Sequence, residues 1–417
     1  MHSRFVKLLV LGAVLLTALP VAALAQTSRV EGMAIQGDYI KDYTSIYTYP
    51  SQVLNVGNLV YGELGVATGG SPADRSVGAV MGDWWEGRYG TWGIHIRQIA
   101  PQIGQGTTSS SPSPGFVGSD PNTNTSEQFD LMWGRKMGTT NFGLRLHRAF
   151  GQLELDNVGI NISNLEFDFT QFDPNLARNV LGLGGGIGWE MSPTTNVELA
   201  AQWQSRTFAI KDTNGVTLAE DDGQTTYQVA ARAWWQWQPN VMVVPVFKWY
   251  SYDLSTSTGP PTPTIADNSL RGWQIGAASN WTIGSNDLFV MGVTFASNKV
   301  EQESDVFGAG FDRGEIIESF SPQVFAALET HANNWLTLRF GANKGAWHRL
   351  EFVDKDTPSN VTFSDSPFSM ALGAGVKVGT LQLDAILNDE FPHNGLYFVS
   401  GNSTGPLFPK VTATYSF

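Results

Sequence analysis

The last nine residues, Pro409 to Phe417, read PKVTATYSF. Val411, Ala413, Tyr415 and Phe417 fall on one face and Lys410, Thr412, Thr414 and Ser416 on the other, the period of two expected of a strand. An apolar outer face with a polar inner face suits a closed sheet that has lipid outside and water inside. Such a strand closes a barrel only if the rest of the chain supplies the staves.

Working back from it, two kinds of connection alternate. The tight ones are Gly87 to Gly90, Met137 to Asn141, Ser192 to Asn196, Pro239-Asn240, Gly284 to Asp287, Ala332 to Asn334 and Gly379-Thr380. Each is turn chemistry between apolar-alternating runs. Between them lie longer polar stretches: Thr68 to Arg75, Ile99 to Ser126, Gly151 to Asn175, Ile210 to Gly223, Asp253 to Asn268, Glu301 to Ile317, Leu350 to Asp365 and Asp389 to Gly405. Strict alternation puts every short turn at one end and every long loop at the other, as in outer-membrane barrels. The segments between them predict an all-β, up-and-down antiparallel barrel of sixteen strands, or fourteen or eighteen if one hairpin is misread. An even number leaves both termini on the short-turn side, which in such barrels is the periplasm.

Facing follows from the same alternation. Over Gln224 to Gln238, Tyr227, Val229, Ala231, Ala233, Trp235 and Trp237 point to lipid, and Thr226, Gln228, Ala230, Arg232 and Gln236 to the lumen. The first strand, Asn58 to Ala67, sets Val60, Leu64 and Val66 outward and Tyr61 and Glu63 inward. Aromatics gather beside the short turns: Trp84, Trp85, Tyr89, Trp92, Trp189, Trp235, Trp237, Trp281 and Trp335. Amphipathic rings prefer the headgroup level, so these read as an interfacial girdle.

The N-terminus and the composition agree with an exported membrane barrel. Residues 1–25 combine Arg4 and Lys7, an apolar run from Leu8 to Leu19 and Ala23-Leu24-Ala25, the pattern of a cleaved signal peptide, so the mature chain starts at Gln26. Residues 26–55 alternate poorly and read as a periplasmic lead-in that folds partly into the barrel mouth; residues 56–417 form the barrel. No apolar run is long enough for a spanning helix, and a membrane protein without one must be a barrel. The absence of cysteine removes thiol-based metal and redox chemistry, and 38 acidic against 25 basic residues argue against a nucleic-acid partner.

Function is sought first among the charges that alternation turns into the lumen. Arg97, Lys136, Arg145, Arg206, Arg232, Lys248, Arg339, Lys377 and Lys410 face Glu63, Asp130, Glu198, Glu329 and Asp384, so the wall leans basic although the protein is acidic. Rings of inward charge set ion selectivity in pores, and these predict a mild anion preference; cross-strand pairing that merely fills a wet interior is the competing reading. Glu220-Asp221-Asp222 lacks the spaced ligands of a calcium loop and reads as solvated surface charge, so no metal or cofactor is expected. The histidines beyond the signal, His95, His147, His331, His348 and His393, have no nucleophile or base set at a defined spacing, and no catalytic residue is assigned.

The ending resembles the C-terminal strand of bacterial outer-membrane barrels, where a terminal Phe after alternating apolar residues marks the client for the barrel-insertion machinery; Val411, Ala413, Tyr415 and Phe417 carry that resemblance. The lead-in from Met33-Ala34-Ile35-Gln36-Gly37 to Tyr49-Pro50-Ser51 resembles the start of the long-chain fatty-acid transporters, with Tyr49 in place of Asn and Ser51 in place of Ala in their Asn-Pro-Ala motif. That resemblance implies fourteen strands, a hydrophobic plug and apolar solutes. The expectation taken forward is a porin-like channel for passive diffusion of small hydrophilic solutes in the bacterial outer membrane, with lipid, lipopolysaccharide and the assembly machinery as partners. Its alternatives are a hydrophobic-solute transporter, with an apolar pocket near Tyr39, Tyr43, Ile46, Tyr47 and Tyr49 and little conductance, and an adhesive or structural barrel.

Overall fold

The computed structural model describes residues 28–65, 75–82, 88–97, 127–153, 159–161, 166–168, 175–211, 217–220, 224–253, 256–258, 265–284, 286–304, 312–355, 359–387 and 407–417. Period-two alternation produces sixteen wall strands, each antiparallel to the next. They are β1 Leu59–Gly65, β2 Arg75–Met81, β3 Thr91–Arg97, β4 Glu127–Met137, β5 Thr140–Leu153, β6 Asn175–Ser192, β7 Thr195–Lys211 and β8 Gln224–Gln238. The second half comprises β9 Val241–Asp253, β10 Ile265–Ile283, β11 Asp287–Ser304 and β12 Asp312–His331. Strand β13 runs Leu336–Gly345 and resumes as His348–Asp354; β14 runs Ser359–Asp365 and resumes as Phe368–Val378. Strands β15, Leu381–Leu387, and β16, Lys410–Ser416, finish the wall.

The closing strand sits where parity demands. It pairs with β15 from Leu381↔Tyr415 to Ala385↔Val411, and with β1 from Leu59↔Ser416 to Gly65↔Lys410. Closure leaves the sheet no free edge, the condition for placing strands in lipid. Tyr415 and Phe417 stack outside with ring centroids 6.3 Å apart, while Lys410 and Thr412 are buried inside. Gly138, Gly284 and Gly379 take positive φ in the tight turns, a conformation with little cost only for glycine.

The outer surface is apolar: Leu183, Ile187, Leu199, Val229, Phe247 and Ile275 are all exposed. Trp189, Trp235, Trp237 and Trp335 are exposed beside short turns, Trp281 is half-buried, and Trp84 and Trp85 lie outside the described residues. Among the described residues no helix is long and apolar enough to cross a membrane.

Several connections are shorter than expected, one of them most clearly. The stretch Leu350 to Asp365 is not a long loop, because Leu350↔Phe363 and Phe352↔Val361 continue the β13–β14 pairing and leave only 355–358 to connect the strands. Extending a hairpin satisfies backbone donors that a loop would leave to water, and its alternating side chains allow it. Similarly, β10 starts at Ile265, β11 reaches Ser304 and β12 starts at Asp312, inside stretches expected to be loop. Strand parity is unaffected.

The interior holds the N-terminal segment. It turns through helix α1, Ser28–Glu31, 3₁₀ turns at Gly37–Tyr39, Tyr43–Tyr47 and Pro50–Gln52, and helix α2, Val53–Val56, before entering β1. Val30, Met33, Ile35, Tyr39, Ile40, Ile46, Tyr49 and Val53 are buried at 0–1% exposure, which only a surrounding wall can do for so short a peptide.

Candidate functional site

The segment fits because the wall makes room for it. A Cβ on Gly341 would fall 1.6 Å from the Met33 carbonyl oxygen, and one on Gly143 would fall 2.2 Å from the Pro50 carbonyl carbon. Neither the peptide backbone nor the strand can yield that distance, so glycine is required at both positions. Two apolar clusters complete the fit. Val30, Met33, Ile35, Tyr39 and Ile40 pack on Trp234, Val244, Val246, Val290 and Phe325, and Ile46, Tyr47 and Val53 pack on Leu59, Tyr61, Val80 and Met132.

The inward charges of the wall hold the same segment. Arg29 donates from Nε and Nη2 to the two oxygens of Glu329, each at 2.8 Å, and Arg339 joins Glu329 to Asp384 with two 2.6 Å bonds. Lys248 pairs with Asp38. Arg232 pairs with Glu198, donates to the Asp38 carbonyl and Ser45 hydroxyl at 3.2 Å, and lies 4.1 Å from the Tyr49 ring centroid. Glu198 also accepts from Trp234 Nε1 at 3.1 Å and from Gln52.

Around Tyr47, Asp130 is the hub. It accepts from Arg145 Nε at 2.9 Å and meets His147 Nδ1 at 2.9 Å and His95 Nδ1 at 3.2 Å. Arg145 and Gln202 both donate to the Tyr47 carbonyl, at 2.9 and 2.8 Å. Burial pushes the hydroxyls of Tyr47 and Tyr49 well above their ordinary pKa, so both are neutral at physiological pH. At the closing strand, Lys410 donates to Glu31 at 2.8 Å and lies 3.8 Å from Glu63, which accepts from Tyr43 at 3.3 Å.

Of the inward charges read from the sequence, Arg145, Arg232, Lys248, Arg339, Glu63, Asp130, Glu198, Glu329 and Asp384 are therefore buried in several ion-pair clusters, most of them engaged with the segment. Arg97 is buried in the same wall. Lys136 is exposed and pairs with Glu190 near a short turn, Lys377 is exposed, and the Arg206 side chain lies outside the described residues, as does His393. The partners on the segment, Arg29, Glu31, Asp38 and Gln52, escape a reading based on alternation because these residues are not on strands. A signal for them existed: the inward wall carried more cations than carboxylates, and buried cations require partners.

Beneath the segment, at the short-turn end, is a cavity of about 730 Å³ reached by Arg29, Lys41, Asp42, Glu329, Arg339, Lys377 and Asp384. Toward the long loops the inner wall turns apolar and aromatic, with Tyr250, Tyr252, Leu270 and Val300 clustered against Ile316. Among the described residues no group of three or more His, Asp or Glu side chains is arranged to hold a metal ion.

No protein-family model matches this chain, and neither does any curated protein. Solved structures that resemble it include the toluene transporter TodX of Pseudomonas putida, 11% identical over 94% of this chain and 96% of that one at a TM-score of 0.39. The toluene transporter TbuX of Ralstonia pickettii is 11% identical over 95% and 99% at 0.38, and CdiB from Escherichia coli is 9% identical over 86% and 63% at 0.42. Likeness at these scores carries no argument; the sixteen-strand closure stands on the register of the wall itself.

Proposed function

We propose that the protein is a transport barrel of the bacterial outer membrane, with both termini in the periplasm, whose N-terminal segment is a gate for small apolar solutes. The observation that carries this reading is the filled lumen. Residues that a water-filled porin would leave as a charged wall are spent on holding a peptide, which disfavours free diffusion of hydrophilic solutes and removes the ground for an anion preference. The apolar outer belt and the even strand count support the membrane location and the orientation. Tyr250, Tyr252, Leu270 and Val300 give the wall an apolar, aromatic character on the long-loop side of the obstruction, and Ile46, Tyr47 and Val53 give the segment itself an apolar face against Leu59, Tyr61 and Val80. Ligand sites built mainly of apolar and aromatic surface with few polar groups suit such solutes.

A gate must be able to move, and the contacts are of the right kind. The segment is held by non-covalent polar and ionic bonds to a rigid wall, so it can leave without disturbing the strand ladder. The test is conductance in a planar bilayer together with uptake of a small aromatic hydrocarbon into proteoliposomes. The intact barrel should conduct little and take up the hydrocarbon, and removal of residues 28–52 should open a large steady conductance. High conductance from the intact barrel would overturn the gate, and hydrocarbon uptake no faster than in empty liposomes would overturn the solute class.

A further inference from the structure

The wall is creased across three neighbouring strands at one level. The β12–β13 register runs from His331↔Thr337 to Gln323↔Gly345, breaks, and resumes at Phe320↔His348. The β13–β14 register breaks between Lys344↔Phe368 and His348↔Asp365. Pro322 and Pro367 stand in these gaps, and proline has no N–H to give a ladder. On the short-turn side of the crease, β13 crosses with the ten residues Leu336–Gly345, enough for a tilted strand to span the hydrocarbon, so the outer halves of the three strands stand beyond it. Among the described residues the outer half of β14, Ser359–Asp365, pairs only with β13. A strand held on one side opens more readily than one paired on both.

His348 sits at this crease with a carboxylate on each ring nitrogen. Nε2 lies 2.9 Å from Glu318 Oε1 on β12, Nδ1 meets Asp365 Oδ1 on β14, and the ring stacks on Phe320 with centroids 4.4 Å apart. A carboxylate only accepts, so both nitrogens must donate, and only the imidazolium does that. Glu318 carries the contact inward: its Oε2 accepts from Asn298 Nδ2 at 3.4 Å, and Asn298 Oδ1 accepts from the Tyr250 hydroxyl in the aromatic wall. Glu318 from β12 and Asp365 from β14 are the charges that face the ring, and β11 offers the neutral Asn298. Arg349 and Glu351 pair with each other on the opposite face of β13, and Lys299 pairs with Glu301 and Glu315 on the opposite face of β11 and β12.

We propose that His348 is a proton-operated clasp at the long-loop mouth: the doubly protonated ring ties β12 to β14 across β13, and loss of one proton frees the outer halves of β13 and β14 and the support of Tyr250. Partial burial alone would lower the imidazole pKa; the carboxylates of Glu318 and Asp365 outweigh it and hold the value above the ordinary one. The clasp is therefore complete below the ordinary imidazole value of about 6.5 and is lost as the pH rises through the raised value.

The test is an NMR titration of the imidazole signals of the full-length mature barrel in detergent, the His348 signal being the one lost in His348→Gln. In wild type it should titrate with a midpoint above about 6.5. Glu318→Gln and Asp365→Asn should each lower that midpoint, Glu318→Gln by more, because the Glu318 side chain is 18% exposed and that of Asp365 59%. The second readout is amide protection over residues 349–354 and 360–365, corrected for the intrinsic pH dependence of exchange. It should fall across the same pH interval in wild type and stay flat in His348→Gln, with heat-modifiable gel mobility confirming an intact barrel. A wild-type midpoint at or below about 6.5, a midpoint unmoved by Glu318→Gln, or protection that does not follow the titration would each overturn the proposal. None of those results bears on the transport reading, which is measured by conductance and uptake.

Discussion

The guanidinium of Arg29 and the carboxylate of Glu329 form a two-bond fork, both bonds 2.8 Å, between the start of the N-terminal segment and strand β12. Three hundred residues of sequence separate them. The fork therefore joins the first described turn of the chain to a strand near the other end of the sequence, at the short-turn end of the barrel.

If the fork holds the gate shut, Arg29→Gln should loosen it without harming the barrel. Hydrogen bonds to charged groups contribute about 1.5–3 kcal/mol each. Part of that is recovered because Glu329 keeps Arg339, so a net weakening near 1.4 kcal/mol, about tenfold in the seated-to-unseated ratio, is expected. Single-channel recording checks it: openings should become about tenfold more frequent at unchanged unit conductance. An unchanged opening frequency would mean that the fork is not part of the latch.

The wall glycines offer a steric test of the same idea. Gly341→Ala places a methyl group on the Met33 carbonyl, whereas at Gly185 a Cβ meets nothing within 4 Å. Gly341→Ala should unseat the segment and raise basal conductance; Gly185→Ala should behave as wild type. Heat-modifiable mobility should be retained in both, since the clash is with the segment and the strand ladder is untouched. Loss of the folded band in Gly341→Ala would show that segment and wall fold as one unit.

The wall was legible in the sequence and the lumen was not, for one physical reason. A strand inserted between lipid and lumen writes its facing into every second residue, so Arg232, Glu198 and Asp384 could be turned inward, and β16 joined to β15 and β1, without coordinates. Residues 28–56 contact wall on several sides through short helices and 3₁₀ turns, and that leaves no periodicity to read. The same inward charges that suggested an ion-selective wall were read with half their partners missing. Asp38 is the plainest case, since nothing local marks it as the mate of Lys248, 210 residues away.

The outer surface makes a separate prediction about where the barrel sits. Leu199 is 53% exposed on β7, while its chain neighbour Glu198 is fully buried in the lumen. In a lipid-exposed position Leu199→Arg should cost about 2–4 kcal/mol of barrel stability near the bilayer midplane. In detergent, where headgroups can reach the side chain, most of that cost should vanish. Urea unfolding in liposomes and in micelles measures the difference, and equal stability in both media would place Leu199 outside the hydrocarbon.

The pair Asp38–Lys248 separates stability from gating most sharply. Both side chains are about 2% exposed, so neither charge keeps its water, and each depends on the other. Removing one partner of a buried pair costs about 3–5 kcal/mol, whereas replacing both by apolar groups of similar size is often neutral or better. Asp38→Asn should therefore unseat the segment, seen as fast amide exchange over residues 36–49 and as raised conductance, because the ammonium of Lys248 is left buried without a counter-charge and water must enter to solvate it. Asp38→Leu combined with Lys248→Met should restore slow exchange and a closed barrel. If the double variant stays open, the interaction between Asp38 and Lys248 does more than neutralise charge, and its geometry sets how the segment is seated; if Asp38→Asn alone stays closed, the apolar packing of Tyr39 and Ile40 on Phe325 and Val290 holds the gate by itself.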